Sequence, residues 1–306
     1  MAVCTPVLAQ KETPVRNHVE HVLAVQNELG ECPLWSVEEQ ALYWVDIERS
    51  QVHRFKPASG DHAVIEAGFP MTAFGFCASG RWVTAAKNGL AFWHPHTLDY
   101  QFIADPEAGR PTSRLNDGAV DRQRRFWVGT LDEADYEAPI SSLYRLDADA
   151  SVHLLDSGFA TTNGLGWSPD GQTLYFTDMF HHLIYAYDQD PASGALANRR
   201  VFARVPEDKG LPDGLTVDSE GYVWSCHWGG WQVTRYDPRG QVEREIRLPA
   251  QLVTRCAFGG EGLDELYVTT ARVFISQEDL AKQPLAGDLF RVRTSIKGLP
   301  EPKFAG

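Results

Sequence analysis

What this chain has little of narrows its function early. No apolar run approaches the roughly 18 residues needed to cross a bilayer, which predicts no integral membrane span and no membrane partner. Cysteine is sparse: Cys4, Cys32, Cys77, Cys226 and Cys256 are odd in number, widely spaced and without a C-x-x-C pair. That pattern argues against a disulfide framework and a zinc knuckle, and it fits a reducing cytoplasm. Positive charge is also short, with 28 Lys and Arg against 41 Asp and Glu and a net charge of −13. Nucleic acid is excluded as a partner on that ground, because phosphate binding needs a basic surface. Met1 to Gln10 carries no basic residue before its short apolar part, so no secretory signal is expected. Finally, the chain has no Gly-rich phosphate loop and no convincing Ser-His-Asp set.

Sustained apolar spacing at three and four residues is missing too, which excludes helical repeats. In its place, turn signals break the chain every 8 to 12 residues. Strand-like centres recur around Trp44, Val83, Trp127, Phe176, Trp224 and Val268, at gaps of 39, 44, 49, 48 and 44 residues. A period in the forties with aromatic and β-branched strands predicts an all-β six-bladed propeller. Each unit reads as four antiparallel strands, and the units fill residues from about 30 to 295. A strand over residues 19–25 is expected to close the last blade as its outer strand, with Val19, His21, Leu23 and Val25 on one face. Residues 1–17 read as an N-terminal extension and 18–306 as a single domain, since no Gly-, Ser- or Pro-rich linker splits the chain.

Sliding the six units into register puts Glu31, Thr72, Asp117, Asn163, Asp213 and Arg255 at one position, near one mouth of the axial channel. Glu31, Asn163 and Asp213 are each followed, four and five residues later, by the matching pairs Trp35-Ser36, Trp167-Ser168 and Val217-Asp218. Two carboxylates and an amide carbonyl meeting there make a hard-cation site. Taken singly, Asn163-Gly164 and Asp213-Gly214 are ordinary turn dipeptides; it is the shared repeat phase that favours the metal reading. Asp117 reads equally as a partner holding the channel charges or as a turn cap. His181 and His182, if in a strand, face opposite ways and are expected to be solvent-exposed. His227, Trp228 and Trp231 read as pocket wall or plain packing, and Asp46 and Asp178 as turn anchors.

Several ordered motifs then point to one family. They are Leu29-Gly30-Glu31-Cys32-Pro33-Leu34-Trp35, Arg114-Leu115-Asn116-Asp117-Gly118 and Phe126-Trp127-Val128-Gly129-Thr130 in the first half of the chain. The second half adds Asn163-Gly164-Leu165-Gly166-Trp167-Ser168-Pro169-Asp170-Gly171, Leu211-Pro212-Asp213-Gly214 and Cys256-Ala257-Phe258-Gly259-Gly260. From about Val19 to Val292 the sequence resembles the family of senescence marker protein 30, gluconolactonase and luciferin-regenerating proteins. The resemblance implies a six-bladed propeller with one divalent cation held by Glu31, Asn163 and Asp213. It implies that Arg114 and Asn116 contact a sugar lactone, and that an acidic lid residue (Asp132, Glu133 or Asp135, with Glu133 taken first) reaches a sugar hydroxyl. Calcium is the expected ion, with magnesium, manganese, zinc or iron admissible. Two departures stand out: Cys32 where the family commonly has Gly, and Arg255 where a small polar residue is usual.

The expected activity is hydrolysis of an aldonolactone (glucono-, xylono- or arabinonolactone) to the aldonic acid, with Asp213 as the base that activates water. Two alternatives use the same site differently. One is a phosphotriesterase-type propeller hydrolase, and the other is a non-catalytic calcium-binding or protein-docking propeller.

Overall fold

The computed structural model describes residues 18–306; the N-terminal extension over 1–17, with Cys4, lies outside them. The fold is all-β, and all the strand pairing among the named strands is antiparallel. β1 (Val19–Leu23) precedes the first sheet, which is β2 (Gly30–Ser36), β3 (Ala41–Asp46), β4 (Gln51–Lys56) and β5 (Asp61–Glu66). The second comprises β6 (Met71–Phe76), β7 (Trp82–Ala86), β8 (Gly89–Trp93) and β9 (Tyr100–Ala104). The third is β10 (Ser113–Val120), β11 (Phe126–Asp132), β12 (Ser141–Leu146) and β13 (Val152–Phe159). The fourth is β14 (Thr162–Trp167), β15 (Thr173–Asp178), β16 (Leu183–Gln189) and β17 (Leu196–Arg204).

The remaining strands form one eight-stranded sheet. It contains the meander β18 (Leu211–Val217), β19 (Val223–Trp228), β20 (Gln232–Tyr236) and β21 (Val242–Arg247). Beside it lie β22 (Leu252–Gly259), β23 (Glu265–Ala271) and β24 (Leu289–Arg293), with β1 as the edge strand. A single pair, Trp228 opposite Leu252, joins the two halves. The inner strands close on themselves: β2 packs beside β6, β6 beside β10, β10 beside β14, β14 beside β18, β18 beside β22 and β22 beside β2. Radial sheets around a common axis are a propeller-like arrangement.

Burial follows from that layout. A strand enclosed on both faces carries apolar residues on both, whereas a peripheral strand faces water. All six marker residues, Trp44, Val83, Trp127, Phe176, Trp224 and Val268, are fully buried on the second strands. The outer strands β5, β9 and β21 are mostly exposed. Turns before the second strands are tied by one repeated device: Ser36 Oγ accepts from Glu39 N and Ser168 Oγ from Thr173 N. Asp121 and Asp218 stand at the same point and accept two backbone amides each.

At the chain start, β1 pairs with β24 as the outermost strand of its meander, two residues shorter than the 19–25 expected. The predicted common face is not formed. A register shift between His21 and Leu23 breaks the alternation, so Val22 and Leu23 both pack toward the Trp35–Trp44 cluster. His21 instead turns to Asp288, with Nε2 2.8 Å from Oδ2. At the other end, residues 294–306 run beneath the sheets: Ser219 N donates to Lys297 O, Phe304 N to Phe76 O, and the Phe304 ring is buried. Cys32, Cys77, Cys226 and Cys256 are all buried free thiols.

Candidate functional site

Each inner strand slips register at the position the repeat alignment singled out. The shifts fall between Glu31 and Leu34, Met71 and Ala73, Leu115 and Gly118, Asn163 and Leu165, Pro212 and Leu215, and Val253 and Cys256. A bulge leaves one backbone amide off the ladder and turns the local side chain away from the normal pleat. Here the freed amide is taken up by the side chain before it. Cys32 N donates to Glu31 Oε2 at 3.0 Å, Gly118 N to Asp117 Oδ1 at 2.7 Å and Gly164 N to Asn163 Oδ1 at 3.2 Å. Repeat phase in the sequence thus becomes a ring of side chains in space.

Glu31, Asn163 and Asp213 line one cavity of about 920 Å³, counting its open mouth, together with Arg114 and Asn116. All five are buried or nearly so, and Asp213 is 2 % exposed. Asp213 Oδ1 has no hydrogen-bond partner. Burial raises the Asp213 carboxyl well above the ordinary carboxylate range, and the charges of Glu31 and Asp117 add to the rise. Glu31 is raised in the same way, by burial first and Asp117 second. A pocket that opposes its own carboxylate charges and leaves one oxygen unpaired has the chemistry of a cation site. The donor set is mixed, two carboxylates and an amide; among the described residues no three His, Cys, Asp or Glu side chains gather as a complete ligand set.

The arginine and asparagine are held rather than loose. Arg114 Nη1 donates to Asn116 Oδ1 at 2.8 Å and to Leu115 O at 3.0 Å, while Asn116 Nδ2 donates to Thr162 O at 2.8 Å. Arg114 Nε lies 3.4 Å from Glu133 Oε1. Of the three acidic lid candidates, Glu133 alone meets Arg114. Asp132 Oδ1 and Asp135 Oδ1 accept amides of their own loop, from Ala134 N at 2.8 Å and Glu137 N at 3.1 Å. Glu133 also pairs with Lys87, and both line an adjoining cavity of about 610 Å³ that shares Ile47, Glu48 and Arg114 with the first.

The mouth is aromatic. Tyr136, Phe180, Trp228 and Phe274 line it, and Phe274 is 81 % exposed. Tyr136 stacks near Phe180 with centroids 6.3 Å apart, and Thr161 Oγ1 donates to Tyr136 O, pinning the loop after β11. Trp228 was a candidate wall from sequence; Phe180, Phe274 and Met179 were not. Phe180 offered one signal, its place in the turn just after a second strand. His181 and His182 occupy that turn too, rather than a strand as supposed, so the opposite-facing argument does not apply. His181 is exposed and bonds Asp178 at 2.7 Å, while the positive φ of 57° at His182 bends the chain. His227 is buried behind the site with Nδ1 on Lys209 O. Asp46 and Asp178 cap backbone amides of Leu29 and Ala160.

The family profile described as the SMP-30/Gluconolactonase/LRE-like region matches residues 29–272. The chain belongs to that family. Among its relatives in the family is the 6-deoxy-6-sulfogluconolactonase of Pseudomonas putida, 39% identical over 280 residues and covering 91% of this chain and 95% of the relative. A pentonolactonase of Haloferax volcanii is 36% identical over 295 residues, covering 92% and 97%. The fold matches the crystal structure of a calcium-binding protein, regucalcin, from Agrobacterium tumefaciens with a TM-score of 0.90 at 26% identity, over 95% of this chain and 98% of that one. Family membership thus agrees with the motifs from which it was expected.

Proposed function

We propose that this chain is a metal-dependent sugar-lactone hydrolase, a single domain over residues 18–306 built as a six-bladed propeller and working in the cytoplasm. In this reading the two meanders of the eight-stranded sheet are the fifth and sixth blades, bridged at Trp228 and Leu252, with β1 closing the sixth. One observation carries the functional reading: Glu31, Asn163, Asp213, Arg114 and Asn116, spread over 183 positions of sequence, line one cavity. Relatives described as lactonases for gluconate- and pentonate-type sugars support the substrate class.

Glu31, Asn163 and Asp213 would hold the divalent cation, calcium first, which when bound supplies Lewis-acid polarisation of the lactone carbonyl. The chain's own residues do the rest. Asp213 takes a proton from water as the water oxygen bonds to the carbonyl carbon. The ring C–O bond then breaks, the ring oxygen leaves as a hydroxyl with that proton, and the acid ionises to the aldonate. Arg114, always charged, donates N–H groups to ring hydroxyls or to the developing oxyanion, and its bond to Asn116 fixes the direction of the fork. Glu133, held beside Arg114, accepts from a sugar hydroxyl. The aromatic mouth limits water access and gives the sugar ring an apolar wall.

A pH-indicator assay over a panel of aldonolactones, run after chelation and again with each ion restored, tests this. Hydrolysis lost on chelation and regained with an ion is expected, and Asn116→Ala should retain the ion yet lose most turnover. The description of the Agrobacterium structure as a calcium-binding protein favours a second reading, an ion-binding propeller without catalysis. Ion binding with no hydrolysis of any lactone would select it.

A further inference from the structure

We propose that Arg255 is a positioning residue that withdraws Asp117 from the candidate cation site, closes its floor and matches the remaining charge to one divalent ion. The inference rests on the reading of Glu31, Asn163 and Asp213 as the ion's holders. In the ring of inner strands, β22 lies between β2 and β18, and β10 lies on the opposite side. Arg255 on β22 therefore reaches across the axis to Asp117 on β10, forming an ion pair with Oδ1. The same Nη1 donates to Gly118 O at 3.1 Å. Both side chains are buried, at 4 % and 3 % exposure.

Room for the crossing comes from Gly214, the residue after Asp213, where an added Cβ would lie 2.5 Å from Arg255 Cβ. Arg255 is absent from the lining of the upper cavity that holds Glu31 and Asp213, and instead lines a separate space of about 400 Å³ beneath, shared with Arg122 and Glu301 of the C-terminal segment. The guanidinium is thus a partition between two spaces.

Charge decides what the partition does. Three buried carboxylates, Glu31, Asp117 and Asp213, with one fixed guanidinium leave two negative charges, which one divalent cation neutralises; Arg114 and Lys87 are set against Glu133 and Glu48 in the adjoining cavity, and Arg122 against Glu301 beneath, so neither group changes the count. A buried charge left without a partner is costly, so the pair acts on ion binding in opposite senses depending on which half is removed. Without Arg255, Asp117 becomes a further anion facing the ion. Without the Asp117 charge, Arg255 remains as an unpaired cation beside it.

The test is calorimetric titration of chelator-stripped protein with calcium chloride at fixed pH and ionic strength. Arg255→Met should bind calcium about tenfold more tightly and Asp117→Asn about tenfold more weakly than the parent chain, with the double variant returning near the parent value. Arg255→Lys, which keeps the charge, should stay near the parent affinity, and Arg255→Gln replaces Arg255→Met, with the same tenfold tightening expected, if that variant aggregates. A role in packing alone predicts lower melting temperatures and no opposed shifts, so single variants that move affinity the same way, or leave it unchanged while folded, overturn the proposal. A parent chain that binds neither calcium nor manganese refutes the ion site itself, and this inference falls with it.

Discussion

Two sets of buried carboxylates in this protein do opposite things. Asp121 and Asp218, both fully buried, are saturated. Asp218 accepts from Glu220 N, Tyr222 N, Trp224 Nε1 and Arg235 Nε, at 2.8 to 3.0 Å. Asp121 accepts from Gln123 N, Arg125 N, Arg125 Nε and Trp127 Nε1 in the same pattern. Glu31 and Asp213, also buried, stand among like charges, Asp117 beside Glu31 and both Glu31 and Asp117 near Asp213, and Asp213 keeps an oxygen with no partner. A carboxylate that the fold itself satisfies holds the fold together, whereas one left unsatisfied costs stability until a ligand arrives. The contrast separates acids that the fold itself satisfies from acids left open to a ligand, although the two look alike in sequence.

The largest expected effect breaks the contrast most directly. Asp213→Asn removes a candidate ligand and the candidate base together, and turnover of the best lactone should fall about ten-thousandfold. In chelator the same variant should melt at or above the parent temperature near pH 7.5, because the folded chain no longer holds a buried carboxyl whose ionisation its surroundings oppose. A melting temperature that drops as far as it does for Asp218→Asn would erase the distinction. Next in size, Asp218→Ala or Asp121→Ala should cost about 3–5 kcal/mol in urea denaturation, by stranding a tryptophan N–H and two amides and taking one partner from a buried arginine. Turnover per folded molecule should hardly change.

His53 sharpens the comparison from a third side, as a buried group that is half satisfied but can stay neutral. Its Nδ1 lies 3.0 Å from His62 Nε2, its ring stacks on Trp44, and its Nε2 has no partner. Burial, then the neighbouring His62 and Arg49, push its pKa down to about 3. The unfolded chain therefore binds a proton below about pH 6.5 that the folded chain refuses, so this stability is present above pH 6.5 and is lost as pH falls toward 3. At pH 5 the loss is about 2 kcal/mol. Urea midpoints at pH 7 and pH 5 should converge by that amount when His53→Phe is set against the parent; equal pH slopes for the two proteins would remove the role.

Much of this is legible in the sequence alone. Marker residues such as Trp44 and Trp224 announced the second strands, because aromatic and β-branched residues between turn signals have few other uses. The repeat phase of Glu31, Asn163 and Asp213 announced their convergence. The bulges were not legible, since a register slip depends on how two strands pair and leaves no fixed mark in either one. Arg255 could be seen as a departure but not explained, as its partner Asp117 lies 138 positions away across the axis. Phe274 at the mouth is invisible for a related reason: it sits in the turn after β23, and periodicity does not reach into turns.

The smallest expected effect concerns the other departure, Cys32. Its backbone is left-handed, with φ of 49°, and its side chain is wholly buried, the sulfur 3.4 Å from Phe74 N and 3.7 Å from Phe74 O. Glycine at this position would relieve a left-handed conformation that costs an L-residue about 1–2 kcal/mol. It would also empty a buried site and loosen the unfolded chain, which together lose about as much. Gly164 and Gly214, at the matching points of their strands, answer a different need. An added Cβ at Gly164 would lie 2.7 Å from Asp213 O, so crowding excludes a side chain there, whereas Cys32 has room for one. Cys32→Gly should therefore shift stability by less than about 1 kcal/mol and leave calcium affinity unchanged, read from urea midpoints and titration of the same preparation. A cost above about 2 kcal/mol would mean that the buried thiol supports the Glu31 bulge as firmly as Asp218 supports its turn, and the line between the two kinds of buried polar group would have to be redrawn at Cys32.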